Sequence, residues 1–241
     1  MRFYQVLSDY YDIIFPFSGG KEQFFLDLTT NKSPGNALDL GCATGALVGL
    51  LAGINWNAEG VDLSPELIAL ARKQNPGIFH LDDMLAFLES SEKIYDLIVC
   101  IGNTLPHLPK ENLKHFVALT AEHLNPGGKL ILQTVNYNKI LIDRPAGLPT
   151  ITRAEEGVTF TRLYAYNQDG SITFSSILET PKGKERSSVT LWPFTHMDFR
   201  ELLPSGLIIE AEYGSFEGDS FDSMRSPAWV IQLSKKKSGS L

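Results

Sequence analysis

The stretch Ala37-Leu38-Asp39-Leu40-Gly41-Cys42-Ala43-Thr44-Gly45-Ala46-Leu47 decides the architecture. Its apolar run, Ala37, Leu38 and Leu40, carries a single acid, Asp39. It then turns through Gly41 and Gly45 into an apolar-periodic segment with Leu47, Leu50 and Leu51. This pattern reads as a buried strand, a tight glycine turn and a helix whose free N-terminal N–H groups face the turn. Gly41 lets the backbone turn sharply, and Gly45 lets a ligand or a neighbouring backbone come close. Such a corner suits a nucleotide-like ligand. A dinucleotide fingerprint, G-x-G-x-x-G, fits poorly, because Ala43 and Ala46 stand at its second and third glycine positions. A phosphate-binding P-loop needs a Gly-Lys-Ser/Thr ending, which the chain lacks. What fits is Asp39-x-Gly41-x-Ala43-x-Gly45, followed by Asp62 at the end of the next strand.

That arrangement resembles the first motif of the class I S-adenosylmethionine-dependent methyltransferases. The resemblance implies an α/β fold with a doubly wound, mostly parallel seven-stranded sheet of Rossmann-like type, and S-adenosyl-L-methionine as cofactor. It implies that Asp39 helps hold the methionine end of the cofactor, often through water, and that Asp62 takes the ribose hydroxyls. The family's middle glycine is replaced here by Ala43, small enough to leave the cofactor room. Asp83-Met84 matches the Gly-Asp-Met arrangement of relatives, so Asp83 is expected to accept from the adenine amino group, with Asp82 competing one residue away.

Gly102-Asn103-Thr104-Leu105-Pro106-His107-Leu108 is similar to the Gly-Asn-Ser-x-x-His-Leu segment of glycine N-methyltransferases and their bacterial relatives, and Asn136-Tyr137-Asn138 also resembles that group. There an arginine just before the Asn-Tyr pair grips the amino acid's carboxylate. Here that position is Val135, which cannot pair a carboxylate. The expected acceptor is therefore neutral or apolar at that end, unless Arg144 or Arg153 swings in to supply a cation. The cofactor-binding set implied in this way is Tyr4, Asp39, Gly41, Ala43, Gly45, Asp62, Leu63, Asp83, Met84, Ile101, Gly102 and Asn103. Tyr11 and His107 are the catalytic candidates.

Composition narrows the function classes. A chain of 241 residues with 43% apolar residues supports one large α/β domain with an insertion and a substantial core. A formal net charge of −7 argues against a general grip on a nucleic-acid backbone. Two cysteines, Cys42 and Cys100, at expected strand ends argue against a disulfide framework and fit a reducing cytoplasm. No apolar run approaches a membrane span, and the N-terminus lacks a signal peptide's pattern. The Lys-rich end, Lys235-Lys236-Lys237, reads as a solvated terminus.

Taken in order, residues 1–35 are expected to form an N-terminal helical cap. Tyr4, Leu7, Tyr11 and Ile14 recur at helical spacing, Pro16 ends that helix, and Lys21 to Thr29 makes a short second one. Relatives often begin with a similar Tyr-rich segment, which implies a lid over the cofactor; the plain alternative is a packing helix. Residues 36–138 alternate strand and helix and form the cofactor-binding core. Its expected strands are Ala37 to Leu40, Ala58 to Val61, Ile78 to Leu81, Tyr95 to Ile101 and Lys129 to Val135. Ser64-Pro65-Glu66 is a helix start with a serine cap, an early proline and an acid near the positive end. A later helix is expected over roughly Pro109 to Leu124.

Residues 139–194 read as an antiparallel insertion that covers the substrate, with strands over Gly157 to Tyr166, Ser171 to Glu179 and Glu185 to Trp192. Residues 195–241 supply a helix started by the capping-box pattern Thr195-x-x-Asp198, then a closing strand pair over Leu207 to Tyr213 and Ala228 to Leu233. The loop from Ser215 to Phe221 is either a mobile lid or a long hairpin connection.

In open α/β sheets ligands sit at the carboxyl ends of the strands, where Asp39, Asp62, Asp83 and the turn at Gly102 all fall. A carboxylate at Asp62 can accept from both hydroxyls of a diol. His107 could orient a ligand or take a proton, or could be a buried histidine at a helix start. His196 reads as a solvated helix end. No close-set Cys/His cluster implies a metal, and no G-x-S-x-G elbow implies a hydrolase. The reading is a methyltransferase acting on a small molecule as a monomer or homodimer, without nucleic-acid or membrane partners. A nucleic-acid-modifying enzyme and a non-catalytic cofactor-binding protein are the alternatives.

Overall fold

A computed structural model describes residues 2–30 and 32–237, with side chains from residue 5 onward. Two helices lead in: α1 (Arg2–Ile14) and α2 (Gly19–Thr29), the latter capped by the Ser18 hydroxyl accepting from the Lys21 N–H. The core then alternates β1 (Asn36–Leu40), α3 (Ala46–Gly53), β2 (Asn57–Asp62), α4 (Pro65–Gln74), β3 (Ile78–Leu81), α5 (Met84–Ser90), β4 (Tyr95–Cys100), α6 (Lys110–Glu122) and β5 (Leu124–Val135). Next come α7 (Tyr137–Asp143), β6 (Gly147–Arg153), β7 (Val158–Tyr166), β8 (Ile172–Thr180), β9 (Gly183–Leu191), α8 (His196–Glu201), β10 (Leu207–Tyr213) and β11 (Ala228–Lys235).

The main sheet has seven strands in the order β10-β11-β5-β4-β1-β2-β3. The five strands from β1 to β5 run parallel, and β11 lies antiparallel between β5 and β10. This is the doubly wound, mostly parallel architecture expected from the sequence. Successive residues serve opposite faces, as the strand period of two demands. Leu38, Leu40, Ile98, Leu130 and Leu132 join one buried cluster, whereas Ala37, Leu97, Val99 and Ile131 join the other. Strands buried on both faces explain why the sequence shows continuous apolar runs here and not alternation. Phe25 of α2 is fully buried against the second cluster, and burial of such a ring contributes about 1.5–3 kcal/mol.

The second sheet is antiparallel, in the order β6-β7-β8-β9. It rests on α1: Leu7 and Ile14 pack with Val158, Phe160 and Leu178. Two of its local elements were not expected from the sequence. Strand β6 contains Pro149 and is half-buried at most, so it shows no clean alternation. Helix α7 spans only seven residues and is set by the Asn136 side chain accepting from the Lys139 N–H. A further difference lies at β5. The strand was expected from Lys129 but begins at Leu124, with a register shift opposite Tyr95 and Leu97 and Gly127 at φ +83°. The Thr195/Asp198 capping box forms with both of its bonds, and α8 ends at Glu201.

Candidate functional site

The loop after β1 is built on strained backbone. Gly41 and Gly45 sit at φ +83° and +79°, and Ala43 at +47°. A Cβ on Gly45 would lie 2.4 Å from the Phe79 ring, and one on Gly41 would lie 2.7 Å from the Thr104 side chain. Ala43 holds a left-handed conformation that costs an L-residue roughly 1–2 kcal/mol. It is held by Asp62, whose Oδ2 accepts from the Ala43 N–H at 2.9 Å while Oδ1 accepts from the Ser64 N–H at 2.9 Å. Burial raises the Asp62 pKa, opposed by these backbone bonds. The Leu63 N–H bonds the same carboxylate, and of its roughly four lone-pair sites at least one stays open to a ligand.

Asp39 is the most unusual group in the loop. It is 5% exposed, and its Oδ1 is buried with no hydrogen-bond partner. Burial pushes its pKa up to about 7, the charge of Asp62 adds to this, and Lys21 opposes it. Lys21, in the first turn of α2, is itself pushed down by burial and back up by Asp39 and Glu217. Helix α1 is tied to the same loop, since the Thr44 hydroxyl donates to Asp12 Oδ1 at 2.6 Å.

Two cavities meet here at the carboxyl ends of the strands. One, about 220 Å³, is walled by Tyr11, Asp12, Lys21, Asp39, Gly41 and Ile101. The other, about 560 Å³, is walled by Asp62, Leu63, Asp82, Met84, Gly102 and His107. Tyr11, Gly41, Ala43, Gly102 and Thr104 line both, so the two form one cleft with Tyr11 at the junction. A larger groove of about 740 Å³ among Phe24, Tyr213, Phe216 and Lys129 contains none of these strand-end residues.

Most of the residues singled out from the sequence line this cleft. Gly45 instead serves as the left-handed cap of α3, against Phe79. Asp83 caps α5, its Oδ1 accepting from the N–H groups of Leu85 at 2.8 Å and Ala86 at 3.1 Å, and Asp82 holds the place on the wall. Asn103 bridges two elements: its Oδ1 accepts from the Val135 N–H and its Nδ2 donates to the Tyr137 hydroxyl, each at 3.1 Å. The side chain of Tyr4 lies outside the described residues. Burial pushes the Tyr11 hydroxyl up, with Asp62, Asp12 and Asp39 adding to it, so Tyr11 stays a hydrogen-bond donor. Burial lowers the His107 pKa, which favours its neutral ring. His196 Nδ1 bonds Asn138 Oδ1 at 2.9 Å. Lys21 was not singled out from the sequence; a lone lysine after Gly19-Gly20 carries no motif.

The smaller cavity offers the unpartnered Asp39 carboxylate and Lys21, groups that could hold an ammonium and a carboxylate. The larger one offers the Asp62 carboxylate, which could accept from hydroxyls, between the side chains of Leu63 and Met84. S-adenosylmethionine carries all of these groups. A family model described as a methyltransferase domain matches residues 20–197. The chain belongs to the methyltransferase-domain family. Its curated relatives include the ubiquinone biosynthesis O-methyltransferase of Rickettsia conorii, 28% identical over 49% of this chain and 41% of that protein. Another is the dTDP-3-amino-3,6-dideoxy-alpha-D-glucopyranose N,N-dimethyltransferase of Streptomyces fradiae, 26% identical over 62% of this chain and 58% of that one. The matches thus span well under two thirds of those relatives' lengths.

Solved structures share the methyltransferase fold over almost the whole chain. An S-adenosylmethionine-dependent methyltransferase from Clostridium acetobutylicum superimposes with TM-score 0.76 at 17% identity, covering 98% of this chain and 100% of that one. The SAM-bound amino pentose methyltransferase CalS10 from Micromonospora echinaspora gives TM-score 0.65 at 22% identity, covering 90% of each chain. Among the described residues, no group of three or more His, Cys, Asp or Glu is placed to hold a metal ion, and no helix is long and apolar enough to cross a membrane.

Proposed function

We propose that this methyltransferase-domain protein transfers a methyl group from S-adenosylmethionine to a nitrogen, oxygen or carbon nucleophile of a small-molecule acceptor. The observation that carries the reading is the buried, unpartnered Oδ1 of Asp39 opposite Lys21, a site short of one cation. In this reading Asp39 takes the cofactor's ammonium group, Lys21 its carboxylate and Asp62 its ribose hydroxyls. Asp82 or Asp83, with Met84, borders the adenine. The bound cofactor supplies an electrophilic methyl carbon, and the protein supplies alignment and exclusion of water.

Tyr11, at the junction of the two cavities, donates a hydrogen bond there and closes the cleft from the α1 side. His107 offers a neutral ring nitrogen to an acceptor that arrives protonated. A base is dispensable for an acceptor that is already a free amine. The O- and N-methyltransferases among the relatives support a small-molecule acceptor, and Val135 favours one that is neutral beside β5. The net charge of −7 supports action away from nucleic acid, and the proposal has the protein act in the cytoplasm as a monomer or homodimer.

The test is turnover of labelled cofactor against a panel of phenols, neutral amines, glycine, sarcosine and dimethylglycine. Saturable transfer to a phenol or neutral amine is expected. Tight cofactor binding without transfer to any acceptor would favour the non-catalytic alternative, and transfer to nucleic acid alone would refute the small-molecule reading.

A further inference from the structure

Strand β7 carries a feature that the cofactor cleft does not use. Val158, Phe160, Arg162 and Tyr164 alternate with outward residues and so share one face. Phe160 packs on Phe15 of α1, ring centroids 5.5 Å apart. Tyr164 packs with Tyr137 of α7 in a separate apolar cluster. Arg162 is therefore placed between the α1 wall of the cleft, which includes Tyr11 and Phe15, and the Tyr137 hydroxyl that accepts from Asn103 beside the cleft.

Two neighbouring donors on this face have nothing to donate to. Arg162 Nε is buried without a hydrogen-bond partner, and the buried Tyr164 hydroxyl meets the Tyr137 hydroxyl, which donates toward it, so the proton of Tyr164 itself has no acceptor. Tyr164 is 8% exposed, and its hydroxyl is pushed up to about 12 by burial, so it keeps its proton. The Arg162 guanidinium is otherwise held by one bond, Nη2 to the Pro149 carbonyl. The other arginines near this end are engaged elsewhere: Arg144 stacks on Tyr166 at 4.5 Å, and Arg153 Nε donates to the Ile13 carbonyl at 2.8 Å. Neither takes up the cation role that Val135 leaves open. Buried donors left unpaired destabilise a fold, so a pair of them side by side calls for an acceptor group that arrives from outside.

We propose that the methyl acceptor carries a carboxylate or similar planar oxyanion, received by Arg162 Nε and the Tyr164 hydroxyl from the insertion side of the cleft. A guanidinium matches a planar oxyanion in shape as well as charge, and a phenol adds a second donor. The inference rests on the methyltransferase reading, and it agrees with Val135: the acceptor is neutral toward β5 and anionic toward β7.

Matched probe pairs test it: 4-hydroxybenzoate against 4-hydroxybenzamide, and 4-aminobenzoate against 4-aminobenzamide. Each is titrated by calorimetry into the full chain with and without saturating S-adenosylhomocysteine. At least one carboxylate should bind about tenfold or more tightly than its amide. Arg162→Gln should abolish that preference, Arg162→Lys should restore part of it, and Tyr164→Phe, which removes only a hydroxyl, should weaken it. S-adenosylhomocysteine should bind all of these variants as it binds the wild type. Equal binding of acid and amide, failure of every carboxylate to bind, or a preference that survives Arg162→Gln overturns the proposal. Failure of S-adenosylhomocysteine to bind the wild type would instead refute the cofactor reading, and the titrations without it still judge Arg162.

Discussion

Lowering the pH should loosen the cofactor's grip through Asp39. In the free protein burial, seconded by Asp62 and opposed by Lys21, raises this carboxyl from 3.8 to about 7. A ligand ammonium prefers the ionised form and so pulls the pKa back down on binding. At pH 6 a group with a pKa of about 7 is protonated roughly ten to one, so affinity should be about tenfold weaker than at pH 8, or about 1.4 kcal/mol. The assay is calorimetry with S-adenosylhomocysteine at both pH values, in two buffers of different ionisation enthalpy. Nearly one proton should be released per ligand bound at pH 6, and almost none above pH 8. The same shift has a consequence for stability. The native state holds this proton more tightly than the unfolded chain, so the free protein loses stability as pH rises from 3.8 to about 7. Asp39→Asn should bind weakly and with a flat pH profile. A flat profile in the wild type, or an equally steep one in Asp39→Asn, would refute the assignment.

Asp62→Ala should weaken S-adenosylhomocysteine binding by roughly tenfold or more, since hydrogen bonds to a charged group contribute about 1.5–3 kcal/mol; an unchanged dissociation constant in a folded variant would count against the ribose role. Gly45→Ala places a methyl 2.4 Å from the Phe79 ring at a φ of +79°. It should therefore lower the melting midpoint by several degrees, from a cost of about 1–2 kcal/mol or more for the backbone alone; an unchanged midpoint would mean that the loop is not held as described.

The parallel core was legible because β1, β2 and β4 are buried on both faces and the turns at Gly41 and Gly45 have a steric cause. Leu38 and Leu97 face opposite clusters, yet both look alike in sequence, so the run announces a strand without announcing its neighbours. Asp39 and Asp62 were legible as strand-end acids, and both stand in the cleft. Asp83 was preferred over Asp82 for the cleft, yet Asp83 caps α5 and Asp82 lies on the wall, because which of them caps the helix depends on where it begins. Helix α7 was hidden by its seven residues, and β6 by Pro149 and its exposure. Lys21 and Arg162 carry no motif at all. The meaning of Lys21 comes from Asp39 of β1 beside it, and that of Arg162 from its place on β7 between Phe160, which packs on α1, and Tyr164, which packs on Tyr137.

The central claim is that the cleft at the ends of β1 and β2 holds S-adenosylmethionine. Calorimetric titration with S-adenosylmethionine beside NAD tests it most directly. The account predicts saturable binding of S-adenosylmethionine, greatly weakened in Asp39→Ala, and no binding of NAD. Binding of NAD without binding of S-adenosylmethionine would contradict it.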